Sequence, residues 1–324
     1  MTGRLAWEQA HRLAVGALTS LGYSEPEASA ITDHLLAAEA AGITALGLRR
    51  ISWIAEIIAA GAPPGDPSEV VPARGGCVLV DGHGGIGYLA ADRAVAAAAE
   101  SARAGGVAVA AVRDVFLTGS LRVYGDRLAR QGLAGIITSS AAPAVVAPGP
   151  GGRRVLGTNP FAVFVPGHPV PLVFDTGVTS LTYSELARRA AAGEPIPAGC
   201  GLDRTGEPTT DAAAVLDGGA MLPWAGHRGF GLAVAVQALA MMAGGPAVPG
   251  GLAGCAMVIF AVDPRALDPA APVPDLGELA GVLDRAGGRP PGLRWAQAQR
   301  AGREQGLRVE PATVTSLREL ARAG

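Results

Sequence analysis

Lysine is missing from the chain: all 26 basic residues among the 324 are arginine. Schiff-base chemistry on a lysine is therefore excluded. An excess of either charge is missing too. The arginines meet 28 acidic residues for a formal net charge of −2, which argues against bulk capture of nucleic acid or an anionic membrane. Cysteine is sparse. Cys77, Cys200 and Cys255 lie far apart, with no CxxC or Cys/His ligand spacing, so no metal site is expected. An odd cysteine count behind a polar N-terminus with Arg4, Glu8 and Arg12 points to a reducing cytoplasm. No apolar run reaches 18 residues without interruption, so no membrane span is expected.

Alanine and glycine dominate instead, and proline is frequent. With aromatics at only 4%, helices should pack closely and loops should be rich in Gly and Pro. The length suffices for one large or two ordinary domains. The spacing predicts helices over 7–21, 24–41 and 48–60. Ser24, Pro26 and Glu27 form a capping-box pattern at the start of the second, and Gly42 ends it. Strands are expected over 77–80, 107–112, 135–139, 161–165, 172–174 and 256–262. Helices are expected over 88–104, 120–131, 184–192 and 232–242, and a polar connection over 196–219. The tail, 295–323, reads as helical with a break near 306–311. Strands alternating with helices between helical ends describe a mixed α/β core with an N-terminal helical subdomain that the C-terminal helices join.

Two stretches stand out. Asp81 to Gly87 contains a formal G-x-G-x-x-G at Gly82, Gly84 and Gly87, with Asp114 after the next strand. Strand, glycine turn, helix, strand and acid is the context of a dinucleotide fingerprint. The alternative is a turn that needs positive φ. The second stretch is Gly157-Thr158-Asn159-Pro160, a polar turn opening into the strand 161–165. Such a turn can offer backbone N–H groups to a phosphate or carboxylate, or be an ordinary tight turn.

Taken together, four segments resemble one family. They are Gly157-Thr158-Asn159-Pro160; Leu202-Asp203-Arg204-Thr205-Gly206-Glu207-Pro208-Thr209-Thr210-Asp211; Leu222-Pro223 followed by Gly226-His227-Arg228-Gly229-Phe230-Gly231-Leu232; and Asp263-Pro264 after a strand. The family is that of the malate/L-lactate dehydrogenases distinct from the Rossmann type, which also includes sulfolactate and ureidoglycolate dehydrogenases and piperideine-2-carboxylate reductases. The resemblance runs nearly end to end. It implies a non-Rossmann α/β fold, a tight homodimer, and NADH or NADPH held in a cleft that the Rossmann fingerprint does not describe. Residues 82–87 then become a glycine turn. With the order of elements, this gives two expected parts, a helical subdomain over 1–72 with 292–324 and an α/β cofactor- and substrate-binding domain over 73–291.

The departures are as informative. Where the family usually carries Ser-His-Gly, this chain has Ala45-Leu46-Gly47. Where it carries Asn-His-Phe-Gly, this chain has Phe116-Leu117-Thr118-Gly119. A common family lysine is Arg228, and a Pro-Gly-Glu appears as Pro291-Gly292-Leu293. The resemblance thus implies a divergent member without the two catalytic histidines. Arg50 aligns with the family's carboxylate-gripping arginine, and Leu46 and Leu117 would line the substrate site. Tyr124, which aligns with a family tyrosine, and Asp114 are candidates for proton handling. Thr158, Asn159, Asp175, Gly177, Ser180, His227 and Arg228 are the expected cofactor contacts. His11 and His34 read as surface or packing residues.

Three readings are open. One is a nicotinamide-dependent reductase of an imine or iminium, whose C=N bond, once protonated, needs only a hydride. The next is redox chemistry on another substrate in a more apolar pocket. The last is a redox-inactive homologue using the scaffold for ligand binding or a non-redox reaction. A small-molecule substrate is expected throughout, bearing a carboxylate if Arg50 keeps its role. Heavy Ala/Gly with arginine as the sole base is the composition of a high-GC bacterial chain, for which a specialised biosynthetic role is expected.

Overall fold

A computed structural model describes residues 4–248, 250, 254–270, 272–288 and 292–323. The chain begins with a short strand β1 (Arg4–Leu5) and helices α1 (Trp7–Ser20), α2 (Glu25–Ala40) and α3 (Arg50–Ala59). Glu27 accepts the N–H of Ser24 at 2.7 Å, which is the capping contact that starts α2. Ala28, Ile31, Leu35 and Leu36 form its buried stripe. The C-terminal elements are α10 (Leu293–Gln305), β12 (Leu307–Arg308) and α11 (Pro311–Ala323). They return to this unit: β12 pairs with β1, and α11 packs on α1. The shared core holds Trp7, Leu18, Tyr23, Ile51, Ile54 and Leu317, and it extends to Ile86, Tyr88 and Leu117 of the middle of the chain.

That middle contains strands β2 (Glu69–Val71), β3 (Cys77–Gly85), β4 (Val107–Val115), β5 (Ala134–Ser139), β6 (Phe161–Val165), β7 (Leu172–Thr176) and β11 (Cys255–Val262). They form a seven-stranded sheet in the order β2-β3-β4-β11-β5-β6-β7. Only β3 and β4 run parallel, connected through helix α4 (Gly87–Gly105); every other neighbour is antiparallel. A doubly wound parallel sheet is thereby excluded. The glycine stretch has the expected positive φ, +46° at His83 and +71° at Gly84, but within a strand and not a turn. Strand β3 continues to Gly85 with a register shift after Asp81. A Cβ on Gly82 would stand 2.2 Å from Val115, and one on Gly87 2.5 Å from the Leu117 carbonyl. These glycines let β3 and α4 approach β4; they do not form a phosphate loop.

Period-2 alternation divides the sheet into two faces. Ala108, Ala110 and Val112 of β4, with Met257, Ile259 and Ala261 of β11, face α4 and α5 (Leu121–Arg130). Alanines 90, 91, 94, 98 and 102 give α4 a flat apolar stripe and high intrinsic helicity. Val109, Ala111, Val258 and Phe260 face the other way, toward α8 (His227–Met242). This helix starts five residues before the expected position. The expected polar connection also has structure: helices α6 (Tyr183–Ala192) and α7 (Ala212–Leu216) accompany a small antiparallel sheet, β10-β8-β9, from β8 (Gly201–Leu202), β9 (Pro208–Thr209) and β10 (Ala220–Met221). The remaining helix, α9 (Leu276–Arg285), precedes α10. No helix among the described residues is long and apolar enough to cross a membrane.

Candidate active site

Arg50 opens α3, and the turn before it is fixed by a buried acid. Glu39 of α2, 6% exposed, accepts the N–H of Leu48 at 2.9 Å. Gly47 lets this happen, since a Cβ there would lie 2.0 Å from the Glu39 carboxylate. Burial pushes the Glu39 carboxyl up to about 7 despite that hydrogen bond. The turn Thr44–Leu46 ends in Leu46, and Arg50 Nε donates to the Ala45 carbonyl at 2.8 Å. The guanidinium lies 4.5 Å from the Trp53 ring centroid, and no carboxylate lies within ion-pair distance among the described residues. A half-buried arginine stacked on an aromatic face with no internal counter-ion is set to receive one from a ligand.

Across from α3, the link between β4 and α5 supplies Phe116, Leu117, Thr118, Gly119 and Ser120. Strand β7 supplies Asp175 and Thr176, and the turn after it supplies Gly177 and Thr179. Asp175 Oδ2 accepts the Arg122 N–H at 2.9 Å and the Ser120 hydroxyl at 3.2 Å, so it caps α5 from a neighbouring strand. Burial raises its pKa; the Arg122 N–H, the Arg122 charge and the Ser120 hydroxyl act against that rise. The segments enclose a cleft of about 260 Å³. Such a volume takes a small molecule or one end of a larger one.

Leu46, Arg50, Leu117, Thr158, Asp175 and Gly177 come together in this cleft. Trp53, Ser139, Ser140, Tyr183 and the buried Cys255 line it as well. No histidine does so among the described residues.

Comparison with known proteins places this architecture. The malate/L-lactate dehydrogenase family model matches residues 5–318. The chain belongs to that family. A Delta(1)-pyrroline-2-carboxylate/Delta(1)-piperideine-2-carboxylate reductase of Pseudomonas aeruginosa is 35% identical over 239 residues, covering 73% of this chain and 71% of that protein. A (2R)-3-sulfolactate dehydrogenase (NADP(+)) of Chromohalobacter salexigens is 33% identical over 240 residues, covering 74% and 72%. Among solved structures, delta1-piperideine-2-carboxylate reductase from Pseudomonas syringae superposes with a TM-score of 0.87 at 28% identity, over 98% of this chain and 100% of that one.

In this malate/L-lactate dehydrogenase family member, several expected site residues lie outside the cleft. Tyr124 is fully buried in α5, its hydroxyl has no partner among the described residues, and burial raises its pKa well above the usual value. A phenol that far from release is not an efficient acid–base group near neutral pH. Asp114 is exposed at the end of β4 with φ of +51° and does not line the cleft. Asn159 is fully buried. Its Oδ1 accepts the Ala141 N–H at 3.1 Å, and its Nδ2 donates to the Ala233 carbonyl at 2.9 Å and to Gln237 at 3.0 Å. Both Nδ2 donors clamp the central turn to α8 and Oδ1 holds it to the segment after β5, so its side chain is engaged within the protein. Ser180 is exposed beside the cleft-lining Thr179. His227 and Arg228 are the exposed first residues of α8. The loop before them is tied to the cleft wall: Trp224 Nε1 donates to the Gly177 carbonyl at 2.7 Å, and Thr179 bridges to Pro223. Pro291 lies outside the described residues.

His34 is a packing residue, as one of the two sequence readings had it, but it also carries a hydrogen bond that the sequence did not show. It is buried beside Tyr88 and Tyr124 and accepts the Ser120 N–H at 2.9 Å. Trp53, one helical turn after Arg50 on the same face, could have been found from the i, i+3 spacing. Ser139 and Ser140 could not, because only the sheet order brings the end of β5 to this place.

Proposed function

We propose that the chain is a nicotinamide-dependent oxidoreductase that reduces an imine carrying a carboxylate on an apolar frame. The observation that carries this reading is the pairing of Arg50 with Asp175 in one cleft whose intervening wall is Leu46, Leu117 and Phe116. The relatives named above are dehydrogenases and reductases, one of them named for two cyclic imino carboxylates and another for NADP(+).

The donors fit a nicotinamide cofactor. Thr158 presents a neutral hydroxyl; the Thr176 and Thr179 hydroxyls, which donate to the Gly177 and Leu181 carbonyls, keep lone pairs to accept with; and Gly177 presents backbone without a side chain. These groups suit an uncharged carboxamide and ribose. Arg228 and His227, exposed at the start of α8, would hold the phosphates, where helix N–H groups add to the attraction. The bound cofactor supplies the hydride. Arg50 takes the substrate carboxylate in a bidentate grip and fixes the reacting carbon. Leu46, Leu117 and Phe116 exclude water from it. Asp175 supplies the proton that forms the iminium, or pairs with the iminium once formed. The upward shift of its pKa by burial favours the protonated carboxyl, which suits the first task; the Arg122 N–H and the Ser120 hydroxyl favour the carboxylate that the second task needs.

Titration of NADH and of NADPH by fluorescence tests the reading. Saturable binding in the micromolar range by either supports it and selects the cofactor. A panel of cyclic imino carboxylates and 2-oxo acids then separates the substrates, with faster reduction of the imines expected. Absence of binding at millimolar cofactor would favour the redox-inactive homologue instead.

Two further assignments belong to this reading. The α/β part, 73–291, is the cofactor- and substrate-binding domain, and the helical part, joined to it through the shared core, closes the cleft with Leu46, Arg50 and Trp53. The chain works as a homodimer. Support for the latter is an apolar surface: Ile136, Phe174, Val234 and Met241 are each 42–49% exposed. Val234 and Met241 lie on α8, which is apolar all round, a pattern that belongs to a helix covered on every side.

A further inference from the structure

His34 takes no part in the reaction proposed above, yet its one hydrogen bond among the described residues runs to the wall of the cleft, its Nδ1 having no partner there. It is 1% exposed. Its Nε2 accepts the Ser120 N–H, so the imidazole proton sits on Nδ1. The ring centroid stands 4.9 Å from that of Tyr88 and 4.8 Å from that of Tyr124, which holds the ring in orientation. Gly119 makes the approach possible. Its φ is +71°, and a Cβ there would lie 2.4 Å from both His34 Nε2 and the Tyr88 ring. Burial, with Arg127 and Arg50 nearby, pushes the His34 pKa down to about 3. The ring therefore remains a neutral acceptor over the working pH range.

Ser120 caps α5, and its N–H is one of the donors a helix start leaves without an intrahelical partner. His34 on α2 accepts this donor. Asp175 on β7 accepts another of these donors, the Arg122 N–H two residues on, together with the Ser120 hydroxyl. The first turn of α5 is thus held from two sides, by a histidine outside the cleft and by a carboxylate inside it.

We propose that His34 is a positioning residue: by accepting the Ser120 N–H from α2 it fixes the first turn of α5, and that turn holds the Asp175 carboxylate in the cleft. The proposal rests on the reading of Asp175 as the proton-handling group. Arg122 on α5 is the charged group facing Asp175, and Asp126 on the next turn of that helix acts on Arg122. Arg50 of α3 and Tyr183 of α6 line the same cleft, and the neighbouring strand β6 has no charged residue. Without His34 the buried Ser120 N–H loses its acceptor, the turn shifts, and Asp175 loses donors that stabilise its charged form. The Asp175 midpoint then rises, whichever protonation state the reaction uses.

Glutamine and methionine side chains have equal length, but only glutamine offers an acceptor near the place of Nε2. His34→Met is expected to lower kcat by about ten- to a hundredfold through misplacement of the carboxylate. Its substrate KM should stay within about threefold, because Arg50 is untouched. The pH profile of kcat should shift upward. His34→Gln should restore kcat and the profile to near wild type. Carbon-13 NMR of aspartate-labelled protein reads the Asp175 titration without turnover, the resonance being assigned by its loss in Asp175→Asn. The midpoint should rise in His34→Met and return in His34→Gln. An unchanged midpoint and kcat in His34→Met overturns the proposal, as does an equal loss in both variants. If neither cofactor binds, the redox reading fails while the NMR midpoints still decide the role of His34.

Discussion

Arg50 is the cleft side chain whose surroundings make the least sense without a ligand, whereas Asp175 in the same cleft is held by Ser120 and Arg122. An arginine partly withdrawn from water, stacked on Trp53 and lacking a carboxylate among the described residues, carries an unmet electrostatic demand. Arg50→Met is expected to raise the KM of a carboxylate substrate about ten- to a hundredfold, the loss of one charge-assisted contact of about 1.5–3 kcal/mol. Arg50→Lys should recover only part of this, since an ammonium cannot reproduce the bidentate grip. Steady-state KM values check both. Asp175→Asn keeps the shape and removes the proton, so kcat is expected to fall by about 10²- to 10⁴-fold with cofactor affinity little changed. Stopped-flow turnover beside a cofactor titration checks that separation.

At the scale of elements, two connections decide the site. The link from α2 to α3 carries Leu46 and Arg50 and is pinned by Glu39. With its folded pKa near 7 and an unfolded value near 4.5, Glu39 binds its proton more tightly in the folded state. Its contribution to stability is fully present below pH 4.5 and is lost as pH rises through 7. The loss amounts to roughly 3 kcal/mol. Glu39→Gln keeps an acceptor for the Leu48 N–H without the charge, so it should flatten the fall in stability between pH 5 and pH 8. Thermal melts of both proteins at the two pH values check this. The other connection is the central turn. Asn159→Ala removes the partners of the Ala141 N–H and of the buried Gln237 side-chain oxygen, a cost of about 1–3 kcal/mol. The loss should show in denaturant midpoints.

The whole molecule poses the question of the uncovered apolar surface on α8 and the adjoining strands. A second copy of the chain is its proposed cover. Val234→Glu with Met241→Glu places two charges on the exposed side of α8, away from the cleft. Sedimentation is expected to give twice the chain mass for the wild type and the single mass for the double variant. Wild-type protein sedimenting as a monomer would contradict the proposed assembly.

Local patterns in the chain carried the elements and the family. Capping at Ser24 and Glu27, the alanine stripe of α4 and the alternating strands β4 and β11 follow from spacing alone, because each depends on neighbours within a few residues. The segments around Gly157, Leu202 and Gly226 pointed to the family, since together they constrain far more than any one does. Sequence also put Arg50, Leu117, Thr158 and Asp175 forward without showing that they meet. Only the tertiary structure decided which side of each element faces the cleft. It turned Asn159 and Tyr124 inward, left Asp114 on the surface, and made the Gly82–Gly87 stretch a packing device. It also set His34, read as a packing residue, against Ser120, 86 positions away. The physical reason is the same in every case. A side chain's chemistry is set by burial and by partners distant in the chain, and no local pattern records either one.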